Sequence, residues 1–274
     1  MLQKILIVLA LVVLAIAFRT CRRRCLRKIG ALLLLVASFL GFAFLTNSWY
    51  LGILGVAAWF LLPWIEILTQ TRKQKISKKN RLANAPAPED EFFPNASQAL
   101  KTMSNEGFEH VSDAAWSWSG MTQYFRLHWN PQERAMSSVC LCEKERVAFA
   151  FIMIKSQTED GRIFQTTNFP FSPTLKNPPH LHISHVPCER NSFTQILADH
   201  RSFLNRQKID FDDLCIPDPD ELPDDIEKLM MSQIEHNLHS GILQQGEQGE
   251  DLHYSKRGLL FLWGQLSKDM IRLC

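Results

Sequence analysis

Three apolar runs in the first 68 residues constrain this chain more than any other feature. Leu2 to Phe18 is almost entirely aliphatic, interrupted by Gln3 and Lys4, Ile29 to Leu45 is apolar but for Ser38, and Leu51 to Leu68 is apolar except for Glu66. As helices rising 1.5 Å per residue, the runs are about 26 Å long, close to a hydrocarbon core of roughly 30 Å. Thr46-Asn47-Ser48-Trp49-Tyr50 separates the second run from the third. Polar residues followed by Trp and Tyr suit a turn at a lipid–water boundary. Residues 29–68 therefore read as a helical hairpin, with Pro63 kinking its second arm and Trp64 and Glu66 near the interface. The expected membrane region is 1–70, with helices at about 2–18, 29–45 and 51–68.

The basic residues set the expected orientation. Arg19, Arg22, Arg23, Arg24, Arg27 and Lys28 follow the first run; Arg72, Lys73, Lys75, Lys78, Lys79 and Arg81 follow the third. A hairpin brings both clusters to one side of a bilayer, and moving each Arg or Lys through the centre costs about 2.5–3.5 kcal/mol on insertion scales. That side is expected to be cytoplasmic, which makes the chain a multi-pass protein of the cell membrane. Two readings of the first run stay open: a retained N-out, C-in helix, and a signal cleaved after Ala15-Ile16-Ala17, which the basic cluster beyond it opposes. The basic clusters are also candidate contacts for anionic lipid, and Cys21 and Cys25 beside them are candidate palmitoylation sites.

Charge divides the chain sharply. Residues 1–81 hold thirteen of the thirty Lys and Arg but one of the twenty-eight acids, leaving a formal charge of −10 after position 81. A domain this acidic repels polyanions, so nucleic acid is an unlikely partner; the expected partners are the bilayer and a protein at or near it. Residues 71–94 read as a basic juxtamembrane segment and linker, and 95–274 as a cytoplasmic domain. A short helix is expected at 96–105. Strands follow at 121–129, 137–142, 147–154, 162–168 and 180–186, with Glu159-Asp160-Gly161 as a hairpin turn. Apolar stripes through Phe193–Leu204, Ile226–Leu238 and Leu259–Leu273 mark three more helices. The expected fold class is α+β, an antiparallel sheet of four to six strands with helices packed on one face, attached to the helical membrane region.

Candidate chemistry is sparse. His180, His182 and His185 form a histidine-rich strand in which alternate residues share a face, a pattern that would suit zinc, with Cys188 in reach. His236 and His239 lie three apart on a helix, and His200 falls on an apolar stripe as a core histidine. Asp210 to Asp225 is a proline-broken acidic connection without the spacing of a calcium loop. Cys140, Cys142, Cys188, Cys215 and Cys274 are expected as free thiols. The sequence lacks a Gly-x-Ser-x-Gly elbow, a phosphate loop and a dinucleotide fingerprint, so no cofactor is expected and catalytic residues are unknown. The order over 222–272 of a helix, Gly241-Ile242-Leu243, a polar tip, Leu252-His253-Tyr254 and a last helix resembles the wing of a winged-helix module, which would imply a regulator. The leading expectation is a non-enzymatic binding or assembly module; the alternative is a membrane-anchored, metal-dependent hydrolase using the histidine strand.

Overall fold

The computed structural model describes residues 2–21, 24–69, 71–73, 75–78, 81–85, 96–118, 121–144, 147–187, 192–246 and 251–273. The chain divides into two compact units. One comprises Met1–Gln74, Ser172–Thr174 and Tyr254–Cys274; the other comprises Lys75–Phe171 and Leu175–His253.

The first, helical unit contains α1 (Leu2–Arg19), α2 (Arg24–Thr46), α3 (Trp49–Thr69) and α7 (Lys256–Leu273). α1, α2 and α3 are each long and apolar enough to cross a membrane. Asn47, in the left-handed region at φ 54°, makes the short link from α2 to α3. Helices α1 and α2 run antiparallel: Gly41 of α2 meets Val8, whereas Gly30 faces the Ala15 carbonyl so closely that a Cβ there would lie 2.8 Å from the oxygen. Small residues of this kind let helix backbones approach where hydrophobic burial supplies little drive. Trp59 Nε1 donates to Ser38 Oγ at 2.9 Å, joining α3 to α2. This arrangement gathers Arg19, Arg27, Lys28 and Arg72 at one end of the unit. Of the 27 large apolar residues that are exposed among those described, 23 lie on α1–α3, from Leu2 to Leu68.

The second unit is built on a mixed sheet. Its strands are β2 (Ala83–Asn84), β3 (Glu109–Trp118), β4 (Met121–Asn130), β5 (Ala135–Lys144), β6 (Val147–Gln157), β7 (Ile163–Thr167) and β8 (Leu181–His185), adjacent in that order. All neighbours are antiparallel except β7 and β8, which pair in parallel with Phe164 opposite His182. Gly161, at φ 83°, closes the expected β6–β7 turn. Side-chain alternation along β5 and β6 gives the sheet two apolar faces. Val139, Leu141, Ile152 and Ile154 pack under α4 (Ala96–Asn105) and α5 (Phe193–Arg206). Met136, Cys140, Phe151 and Met153 pack under Leu222 and Ile226 of α6 (Leu222–His239). A smaller sheet orders β1 (Ile76–Ser77), β10 (Asp251–Tyr254) and β9 (Leu243–Gln245).

The α+β composition matches expectation, with four departures. The sheet is mixed and seven-stranded among the described residues, because the long connection after β7 carries Pro170, Pro173, Pro178 and Pro179 and returns the chain to the starting end, where only parallel pairing is possible. Helices cover both faces of the sheet, because both parities of β5 and β6 are apolar. The segment expected as a linker contributes Ile76–Ser77 and Ala83–Asn84 as strands, opposite Leu252 and Ala115 among others. The last helix, expected in the same domain as the sheet, groups with α1–α3.

Candidate functional site

The sheet unit carries a groove of about 550 Å³, within the usual range for ligand sites. Its floor is the α6-facing side of the sheet at Met136, Lys155 and Ile163; α6 supplies Asp225, Lys228, Leu229 and Ser232, and Cys215 to Asp218 form the rim. The register sets Lys155 beside Met136 and Gln165, on the same face as Met153 and Phe151.

Lys155 is the unusual element. Its side chain is 4% exposed, and Nζ lies 3.2 Å from Asp225 Oδ2. Burial holds the ammonium below the ordinary lysine range, an effect that the Asp225 carboxylate offsets in part. An ammonium carries three N–H donors. Asp225 takes one, and no other acceptor lies within hydrogen-bond distance among the described residues. Asp225 is held in turn by Lys228 at 3.7 Å, and Lys228 reaches Glu221 at 3.6 Å.

The rim is fixed from the β4–β5 turn. Asn130 Oδ1 accepts from the backbone N–H groups of Gln132 and Glu133, and its Nδ2 donates to the Glu106 carbonyl. The chain then passes through Arg134 at φ 47°. Arg134 Nη1 donates to the carbonyls of Phe211, Asp212 and Leu214, and the guanidinium lies over the Phe211 ring. A left-handed arginine is a strained conformation, here recovered through three hydrogen bonds that secure the rim. Cys215 N donates to the Gln157 carbonyl at 2.8 Å, running the rim along the end of β6. At the other end, the side chain of buried Asn237 accepts from Lys176 N and donates to the carbonyls of Lys176 and Gln233, tying the proline-rich connection to α6.

The three strand histidines go to different surroundings. The ring of His180 lines the groove and meets Ser232 Oγ at 3.3 Å. The ring of His182 stacks on Phe164, which packs against Phe203 of α5 on the opposite face of the sheet. His185 is exposed. Among the described residues no group of three or more His, Cys, Asp or Glu is placed to hold a metal ion; Cys188 lies outside them. His200 is the buried core histidine expected from its stripe, hydrogen-bonded with Ser156 Oγ and Thr166 Oγ1, and burial lowers its pKa to about 4. Burial also pushes the Cys142 thiol up to about 12 and the Cys140 thiol up, so neither is a ready nucleophile.

Of the basic clusters, Arg22, Arg23 and Lys79 lie outside the described residues, and Arg24 and Lys73 are described by backbone alone. Lys75 pairs with Asp251 at 3.1 Å. Sequence reasoning missed the groove. Its signals were scattered: Lys155 directly follows the apolar run 147–154, His180 was grouped with the other strand histidines, and Asp225 lay 70 residues away in the acidic connection.

No protein-family model, curated protein or solved structure matches this chain.

Proposed function

We propose that the chain is a multi-pass protein of the cell membrane, anchored by α1–α3, whose sheet unit works on the cytoplasmic side as a non-enzymatic binding or assembly module. The observation that carries this reading is the concentration of exposed apolar side chains on α1–α3, where Leu9, Leu54 and Ile65 stand 58%, 58% and 62% exposed. Water would charge roughly 25 cal/mol for each Å² of such surface, and lipid removes that cost. The basic residues gathered at one end of the helical unit support cytoplasmic orientation of that end. Anchoring also raises the local concentration of the sheet unit around membrane partners, which serves assembly without catalysis.

The Lys155 groove is the binding site in this reading. Three cations, Arg134, Lys155 and Lys228, and three carboxylates, Asp218, Glu221 and Asp225, line it together with apolar Met136 and Ile163. Balanced charge of this kind suits a polar small molecule or an uncharged-to-zwitterionic peptide segment, and the charge of −10 beyond residue 81 disfavours nucleic acid. The test is protease treatment of sealed membrane vesicles carrying the full chain. Digestion of the sheet unit in inverted vesicles, with protection in right-side-out ones, is the expected result; digestion in right-side-out vesicles overturns the orientation.

A further inference from the structure

Helix α7 is amphipathic, yet it belongs to the same unit as the three apolar helices. Trp263 makes the attachment. Its indole Nε1 donates to the Phe60 carbonyl of α3 at 2.6 Å, and its ring stacks on Trp64 at 6.3 Å. Pro63 lies three residues beyond Phe60, and its missing N–H leaves the neighbouring Trp59 carbonyl without its helical donor. Ser267 and Met270 of α7 line a small cavity together with Leu34 and Trp59.

The depth of this docking follows from α3 itself. Trp64 and Phe60 lie five and nine residues before Thr69, the last residue of α3. At 1.5 Å per residue they are about 7.5 and 13.5 Å from the basic end of the helix. Any bilayer that α3 crosses therefore holds Trp263 within one leaflet. Helices lying in an interface bury their apolar side about 5–10 Å deep and keep cations at the margin. The outward side of α7 has that form: Leu260, 57% exposed, lies between exposed Arg257 and Lys268. The carboxylate that would oppose burial is already satisfied. Asp269 is 7% exposed and accepts from Ser172 N at 2.8 Å and Ser172 Oγ at 2.6 Å.

We propose that α7 is a fourth membrane element, lying in the leaflet at the basic end of the helical unit with Leu260 against lipid acyl chains. This rests on the reading that α3 spans the bilayer. Arg257 and Lys268 extend their charged tips to the anionic headgroups while their stems stay in the apolar zone.

The experiment places a photoreactive residue in the full chain, as Leu260→benzoylphenylalanine and, separately, Leu9→benzoylphenylalanine on α1. The protein is reconstituted in mixed phosphatidylcholine–phosphatidylglycerol vesicles, and phospholipid adducts are read by mass spectrometry. Retention of each variant in alkali-washed vesicles shows that it has inserted. Adducts at both positions in comparable yield are expected. Adducts at Leu9 with none at Leu260 overturn the placement of α7 and leave the anchor standing. Loss of both variants from alkali-washed vesicles, with adducts at neither position, overturns the anchor and α7 together.

Discussion

Leu54 and Ile65 of the helical unit are more than half exposed, whereas Leu127, Ile154 and Phe193 of the sheet unit are fully buried. The two units use the same residue types in opposite ways. In the sheet unit, alternating apolar residues on adjacent strands build two cores, each closed by helices. In the helical unit the contacts between helices include small residues, a Trp–Ser hydrogen bond and ring stacking, and most large apolar side chains of α1–α3 are exposed. This contrast separates a water-adapted core from a surface with the composition expected of one facing lipid.

The comparison can be broken at several points, the largest first. Phe193→Ala removes a ring that packs edge-on against Phe108 at 5.0 Å, and it should destabilise the sheet unit by about 3–5 kcal/mol. Denaturant titration of the full chain in mild detergent measures it, and a shift under about 1 kcal/mol would mean the core is not as closed as described. Leu54→Ala truncates an exposed side chain of the helical unit and should leave the same unfolding curve within about 0.5 kcal/mol.

Leu9→Arg, near the middle of α1, should cost about 2.5–3.5 kcal/mol of membrane insertion. The same change at Ile216, 58% exposed on the sheet unit, should cost no more than about 0.5 kcal/mol of stability. An insertion assay for the first and thermal melting for the second give the pair. Equal effects would erase the difference between the units.

Acid should also separate them, since all nine histidines lie in the sheet unit. Burial holds His128 and His200 at about 4, below the ordinary histidine value of 6.5. The unfolded chain therefore binds more protons than the folded one between those values, so stability is lost as pH falls from 6.5 through 4. The loss should reach up to about 3 kcal/mol for each histidine, while the contacts of the helical unit stay unchanged. Melting curves across that range check it, and a flat profile contradicts it. A small effect on stability is expected from Lys155→Met. It should shift stability by about 1 kcal/mol or less, because Asp225 keeps Lys228, while abolishing binding of any ligand that accepts from the ammonium.

Much of this division was legible in the sequence because it rests on local pattern. The apolar runs predicted α1–α3 to within a few residues at each end, with α2 beginning five residues earlier at Arg24. Asp160-Gly161 gave the β6–β7 turn, and the stripe through Ile196 and Phe203 gave α5. Strand β3 was missed because His110, Ser112, Asp113 and Ser117 hide its alternation and its register shifts between His110 and Ser112. Asp113 is tolerated there because Arg126 on the neighbouring strand holds its carboxylate, which no local pattern reveals. The groove and the attachment of α7 were illegible for the same reason. Lys155 with Asp225, and Trp263 with Phe60, are pairings of residues 70 and 203 positions apart. Local pattern also grouped His180 with His182, because it assumes that alternation continues past the end of β8; His180 precedes the strand and turns to α6 instead.

The central claim is that the helical unit lives in a bilayer. Alkaline carbonate extraction of membranes bearing the full chain tests it most directly, because high pH strips proteins held by charge or by a partner and leaves those held by lipid-embedded helices. The account predicts that the whole chain stays in the membrane pellet. Release of the intact chain into the soluble fraction would contradict it, and would require the exposed faces of α1–α3 to be covered by protein.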